Sequence, residues 1–180
     1  REAVFSPEEC AAIRELGSGL ELKEAQTHTD EAGRQNDVRG RNCLIQWVER
    51  SKSDEWRWVF DRISDVGFEL NKKHWNFEIH RSEKIQYTSY GFGNFYASHF
   101  DNGSTETEHR KLSISVQLTD PGDYWGGALK FWSMNDPRMA PKGIGAMCVF
   151  PSYLLHVAKP VWKGRREVLV TWLDGKKKLR

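Results

Sequence analysis

From residue 76 onward, apolar residues come in short runs alternating with polar ones: "FEIHR", "KIQYTSY", "FYASHFD", "RKLSISVQLT", "GALKFW", "GAMCVFP", "LLHVAKPV" and "REVLVTWL". Turn residues separate them, and such closely spaced strands predict a sandwich or barrel. Upstream the period changes. Over 54–73, Trp56, Val59, Phe60, Ile63, Val66 and Leu70 form one helical stripe facing a core. "FSPEECAAIRELGSG" predicts an earlier helix, with Ser6 as N-cap, Pro7 at its first position, Glu9 closing a capping box and Gly17 as its stop. "LELKEAQ" (20–26) alternates weakly and "CLIQWV" (43–48) reads as a strand. Residues 27–42 are polar and contain glycine, which predicts a long loop, either a lid or a mobile connection.

The expected fold is mostly β with N-terminal α-helices, a double-stranded β-helix (jelly roll) with helices packed on one sheet. Residues 1–180 are expected to form one domain, with helical support over about 6–74 and a jelly-roll core over about 76–174. No internal repeat or low-complexity stretch divides it. Strand 111–118 shows how such a sheet would be faced. Leu112, Ile114, Val116 and Leu118 suit packing on the helices, and they alternate with Lys111, Ser113, Ser115 and Gln117. That polar face suits a wet cleft holding a polar ligand, or solvent.

Charge narrows the function classes. The formal net charge is +2 and, apart from the C-terminal "KKKLR", basic residues are scattered, so no nucleic-acid partner is expected. No apolar run reaches about 18 residues, so no membrane span is expected. No signal peptide opens the sequence, although its first residue is not Met. Cys10, Cys43 and Cys148 are odd in number and contain no CxxC, which predicts free thiols and a reducing, cytoplasmic location.

The chemistry centres on "YASHFDNG", where His99 and Asp101 are two residues apart. On a strand they share a face. Alone, the pair is far more often an ordinary hydrogen-bonded surface motif than a metal site. "PSYLLHVAKPVWKGRREVLVTWL" adds His156 on a late strand, then a Pro-Val-x-x-Gly turn, then Arg165 and Arg166. In a closed double sheet His156 can face His99 and Asp101. Two imidazoles and one carboxylate are the facial triad of non-haem Fe(II) oxygenases, leaving positions for substrate-derived ligands and O2. His28, His74, His80 and His109 carry no comparable pattern and read as surface or loop residues.

These residues resemble the Fe(II)/2-oxoglutarate-dependent dioxygenases, in particular the prolyl 4-hydroxylase-like branch and its PKHD-type hydroxylases. The resemblance runs from about Lys84 to Leu173 and rests on "YTSYGFGNFYASHFD", "RKLSISVQLTDPGDYWGGALKFW" and "FPSYLLHVAKPVWKGRR". It implies that His99, Asp101 and His156 bind the metal and are catalytic, and that Arg166, ten residues after His156, grips the distal carboxylate of 2-oxoglutarate. Strand parity agrees, since Arg166, Val168, Val170 and Trp172 share a face that Arg165 does not. The resemblance further implies that Tyr90 and Gln117 assist cosubstrate binding and that Trp172 walls the iron pocket. Tyr87, on the opposite strand face, reads as a core tyrosine. The implied cofactor set is Fe(II), 2-oxoglutarate as cosubstrate and O2, with ascorbate a further candidate.

The implied reaction is hydroxylation of a C–H bond of a peptidyl proline, an amino acid or another small molecule, with release of succinate and CO2. The expected partner is a peptide, protein or small-molecule substrate; oligomeric state is not legible. Tyr124, Trp125 and Trp132 are expected as an aromatic rim, and Gly126-Gly127 as a tight turn between strands. Two rival readings stand beside this one. A non-catalytic jelly-roll ligand-binding module would not need open metal positions, and a zinc hydrolase would leave Arg166 without a task.

Overall fold

The capping box forms. Ser6 Oγ accepts from the Glu9 amide at 3.2 Å, and the Glu9 carboxylate accepts from the Ser6 amide at 2.9 Å. Helix α1 (Pro7–Ser18) thus starts with its first donors satisfied. The computed structural model describes residues 3–25, 27–29, 33–35, 40–102, 107–132 and 138–176. The expected stop at Gly17 is corrected: the helix runs to Ser18 and Gly19 caps it. Gly17 has a packing task instead. It is buried, and a Cβ there would stand 2.3 Å from the ring of Tyr87.

That contact reverses the usual sign of a helical Gly→Ala change. Helix propensity favours Ala by about 1 kcal/mol, whereas forcing a methyl into a packed core costs about 1–3 kcal/mol. Tyr87 is itself pinned, its hydroxyl donating to Glu167 Oε1 at 3.0 Å and its ring edge-on to Trp56. Gly17→Ala is therefore expected to lower the melting temperature, by roughly 2–4 °C per kcal/mol for a chain of this size. A thermal melt at or above wild type would show that the Tyr87 ring gives way.

After α1 come β1 (Lys23–Glu24), β2 (Thr27–Thr29), β3 (Gly33–Gln35), β4 (Arg41–Asn42) and β5 (Leu44–Val48). A 3-10 turn (Asp54–Trp56) leads into α2 (Arg57–His74). The rest is β6 (Arg81–Ser82), β7 (Ile85–Tyr90), β8 (Phe95–His99), β9 (Arg110–Gln117), β10 (Tyr124–Gly126), β11 (Leu129–Phe131), β12 (Met147–Pro151), β13 (His156–Ala158), β14 (Val161–Gly164) and β15 (Arg166–Asp174). The large sheet runs β1-β5-β7-β15-β9-β12, with β6 also on β15, and the small sheet runs β11-β13-β8-β4. The expected helical support over 6–74 therefore also supplies β1 and β5 to the large sheet and β4 to the small one.

Several local expectations change. "FEIHR" yields only its end, in β6. Gly126 and Gly127 do turn the chain, at φ +87° and +59°, but the strands they join have different partners: β10 pairs with β14, and β11 with β13. The expected Pro-Val-x-x-Gly turn is β14 itself. Within 27–42, β2 and β3 pair as a hairpin rather than forming an open loop; residues 26, 30–32 and 36–39, and with them the lid expectation, lie outside the described residues.

The two faces of the large sheet have separate tasks. Leu112, Ile114, Val116 and Leu118 join Ile85, Tyr87, Met147, Leu169 and Leu173 in a core covered by Ile13 of α1, Trp56, and Val59, Phe60 and Ile63 of α2. Val66 packs at its margin, and Leu70 is only half-buried. Gly67 lets α2 approach closely, since a Cβ there would lie 2.9 Å from Ile114 Cδ1. Thermodynamically this face is the fold's foundation, because its apolar burial is the main favourable term. The other face meets the small sheet and carries polar side chains.

Candidate metal centre and cleft

β13 pairs with β8 so that His156 stands directly opposite His99. Cross-strand neighbours on one face are within side-chain reach, and the two rings lie 4.2 Å apart, centroid to centroid. Asp101 follows β8 and is tied into the site by its backbone, its amide donating to Ser152 O at 2.9 Å. His99 Nε2 lies 3.5 Å from Asp101 Oδ1, and His156 Nε2 lies 3.5 Å from Asp101 Oδ2.

The ring tautomers are settled by geometry. Nδ1 of His99 lies 2.8 Å from Ala97 O, and Nδ1 of His156 lies 2.8 Å from Leu154 O. A carbonyl only accepts, so each Nδ1 carries a proton and Nε2 is the nitrogen turned toward Asp101, the atom a metal would take. Burial lowers the His156 pKa, keeping it neutral as a ligand must be. Burial pushes the Asp101 carboxyl up, but His99, His156 and Ser113 outweigh it and hold the group well below the usual carboxylate range. One ligand atom from each residue lies within 4.8 Å of the others, and each imidazole Nε2 stands 3.5 Å from a carboxylate oxygen, close to the spacing of about 3 Å between neighbouring ligands on an ion with bonds of about 2.0–2.2 Å. The donor set of two imidazoles and one carboxylate fits Fe(II) with open positions.

Support for Asp101 comes from the polar face of β9. Ser113 Oγ donates to Asp101 Oδ2 at 2.6 Å and also lies 3.0 Å from Ser152 Oγ. Partners that orient a ligand typically change metal affinity 10–100-fold when removed. Ser113→Ala should therefore weaken iron binding by about that factor in an anaerobic titration, with secondary structure unchanged. An unaltered iron affinity would mean that Asp101 is positioned by its backbone alone.

Arg166 opens β15 and is 3% exposed. Its Nε donates to Gln117 Oε1 at 3.0 Å, and its guanidinium carbon stands 5.4 Å from the Tyr90 ring centroid. No carboxylate among the described residues pairs with it. Burial raises the Tyr90 pKa well above its ordinary value, against the pull of the Arg41 and Arg166 charges, so the phenol stays protonated and can donate. Gly127 clears space for the Arg166 stem: a Cβ there would meet Arg166 Cδ at 2.9 Å. Tyr124 is buried beside this arginine, whose charge acts on its phenol. A buried guanidinium with no counter-charge among the described residues fits an incoming carboxylate.

The cleft, about 1190 Å³, is shared by His99, Asp101, His156, Arg166, Tyr90 and Trp172. Trp172 is a wall as expected, covered by the Arg110 guanidinium at 3.7 Å from its ring centroid. Arg110 is held by Glu83 at 2.7 and 2.8 Å and donates to Asp101 O at 3.4 Å. The expected rim of Tyr124, Trp125 and Trp132 is corrected. Tyr124 is buried, Trp125 projects from β10, and none of the three lines the cleft; Trp47, Phe100 and Trp172 do. Tyr87 belongs to the helix-side core, as expected. His74 and His80 are exposed, and His109 is exposed at the cleft edge. Sequence reading missed Arg41, a buried guanidinium facing the same cleft.

A family model described as the 2OG-Fe(II) oxygenase superfamily matches residues 85–174. A PKHD-type hydroxylase of Prochlorococcus marinus is 33% identical over 91 residues, and one of Gloeothece citriformis is 34% identical over 93 residues. Each match covers 51% of this chain, but 41% and 42% of the respective relative, so the chain spans about two fifths of those proteins. A Pseudomonas putida prolyl-4-hydroxylase shares the fold with a TM-score of 0.76 at 18% identity, covering 98% of this chain and 91% of that one. A Trichoplax adhaerens prolyl hydroxylase, solved with a hypoxia inducible factor oxygen degradation domain peptide fragment, gives 0.72 at 18% identity, over 92% and 78%. The matched segment begins at β7 and ends with β15, enclosing the triad and Arg166, and the chain belongs to the 2OG-Fe(II) oxygenase superfamily.

Proposed function

We propose that the protein is an Fe(II)- and 2-oxoglutarate-dependent dioxygenase that hydroxylates a C–H bond and releases succinate and CO2. The observation that carries this reading is one cleft holding both a three-ligand metal set and a buried, carboxylate-free guanidinium. Bound Fe(II) would supply the redox chemistry of O2 activation. His99, Asp101 and His156 hold it on one side and leave the other positions open. Arg166 binds the distal carboxylate of 2-oxoglutarate through its planar fork, and Tyr90 is placed to add a hydroxyl donor. Gln117 holds Arg166 in that pose, so its task is to orient the arginine. Trp172, Phe131 and Phe150 surround the metal side with apolar surface, which limits water beside the reacting groups.

For the substrate, the names of the similar hydroxylases favour a prolyl group of a peptide, and the cleft is equally open to an amino acid or another small molecule. The test is succinate formation by iron-loaded protein against peptide and metabolite libraries, with mass spectrometry reading the gain of one oxygen atom. Succinate no higher than in a zinc-loaded control, in the presence of bound 2-oxoglutarate, would instead support the ligand-binding jelly roll.

A further inference from the structure

Arg41 has no role in the reaction as described so far. It sits on β4, opposite Tyr96 of β8. It is 9% exposed and lines the same cleft as the triad. Its guanidinium carbon lies 4.5 Å from the centroid of the Tyr96 ring, and that ring stacks on His99 at 3.5 Å. The arginine is thus one aromatic ring away from a metal ligand.

A guanidinium this buried is normally paired. Arg41 is not: no carboxylate among the described residues is within ion-pair distance. Its Nε donates to Cys43 Sγ at 3.2 Å and its Nη2 to Gln86 Oε1 at 2.6 Å, neither of them a carboxylate. Nη1 makes no hydrogen bond with the described residues. Gln86 is oriented by the same network, because its Oε1 also accepts from Thr88 Oγ1 at 3.2 Å. Its amide nitrogen therefore must be the other terminal atom, and it too is unbonded among the described residues. Two donors without partners among the described residues, one on a full charge, thus belong to side chains that line the cleft from opposite sheets.

Position separates Gln86 from the cosubstrate anchor, while the Arg41 charge reaches Tyr90 as well as Gln86. Gln86 aligns with Val170 and Trp47, and Tyr90 with Arg166. Four residues along β7 part those two rows, roughly 13 Å of strand. The Arg41 end is the one with half-exposed Trp47, which also lines the cleft.

We infer that Arg41 and Gln86 form a second carboxylate anchor, and that it receives a carboxylate of the molecule to be hydroxylated. This rests on the dioxygenase reading. It narrows the substrate class to molecules with a carboxylate near the oxidised carbon. The same chemistry could be offered by 2-oxoglutarate itself, and the experiment separates the two sources.

The probe is propionate, with propionamide as its uncharged match, followed by ligand-observed NMR on zinc-loaded protein saturated with 2-oxoglutarate. Zinc has no redox chemistry, so nothing turns over. Wild type should bind propionate at least tenfold more tightly than propionamide. Arg41→Gln should lose at least tenfold of the propionate affinity, with 2-oxoglutarate affinity changed far less than by Arg166→Gln. Arg41→Lys should fall between, keeping charge without the fork. Propionate binding that vanishes when 2-oxoglutarate saturates the protein would overturn the inference, assigning Arg41 to the cosubstrate. So would equal binding of acid and amide by wild type, or an unchanged Arg41→Gln protein. If Arg41→Gln does not fold, the wild-type and Arg41→Lys comparisons still decide. If wild type fails to bind 2-oxoglutarate at all, the dioxygenase reading falls, and the acid-amide comparison in Arg166→Gln still judges Arg41 separately.

Discussion

Asp101→Ala protein should fold, bind iron more than about 100-fold more weakly than wild type, and show no measurable succinate formation. The carboxylate is the only anion among the three ligands, so its loss removes both a bond and the charge that offsets the metal. Two imidazoles remain, and they are fixed for other reasons: each Nδ1–H is held by the backbone carbonyl two residues earlier. The site would keep its shape and lose its hold. The loss should exceed that of Ser113→Ala, since the serine acts on the metal only through Asp101. Stability should change little, because the carboxylate is surrounded by polar groups with one another as alternative partners, Ser113 with Ser152 among them. The checks are an anaerobic iron titration, a circular dichroism melt and a succinate assay on the same preparation. Near-normal iron content with near-normal turnover would show that the metal is held elsewhere.

How much of this was legible depends on the distance over which the information is written. Strand parity is local, and it worked. Leu112 to Leu118 fell on the helix side, while Ser113 and Gln117 fell in the cleft on Asp101 and Arg166. The capping box is also local, and both of its hydrogen bonds formed. The meeting of His99 with His156 was foreseen only as an outcome of sheet closure. Its register, Cα opposite Cα, depends on how two distant strands align, and no periodicity encodes that. Gly17 looked like a stop because a glycine near a helix end often is one. Its actual task depends on Tyr87, which arrives much later in the chain.

Tyr124 was misplaced on the rim and Arg41 was missed for a related reason. Tyr124 sits in a Gly-rich stretch beside Trp125, which is exposed, and the two look alike in sequence. Arg41 lies at the end of a polar segment where a cation reads as solvated. A signal was present: Arg41, Cys43 and Ile45 alternate with Asn42 and Leu44, and all three are buried. Extending the parity of β5 backwards through "RNC" would have placed the arginine on the inner face.

The same parity gives the test of the cosubstrate anchor. Arg165 and Arg166 are adjacent cations, so a general electrostatic effect would not tell them apart. The structure separates them fully. Arg165 is exposed and donates to Ser89 Oγ at 2.7 Å, whereas Arg166 points into the cleft and Glu167 turns back to pair with Arg14 of α1. Arg166→Ala should raise the apparent KM for 2-oxoglutarate steeply. Removing one partner of a buried, hydrogen-bonded charge pair costs on the order of 2–5 kcal/mol, or roughly 30-fold to several thousand-fold. Arg166→Lys should be intermediate, because a point charge replaces the fork that matches a carboxylate. Arg165→Ala, a surface change, should stay within about 0.5 kcal/mol, roughly a twofold shift. Steady-state kinetics in 2-oxoglutarate, on variants matched for folding and iron loading, decide the order. A large cosubstrate defect in Arg165→Ala with a small one in Arg166→Ala would put the strand register off by one and turn Val168, Val170 and Trp172 away from the cleft with it.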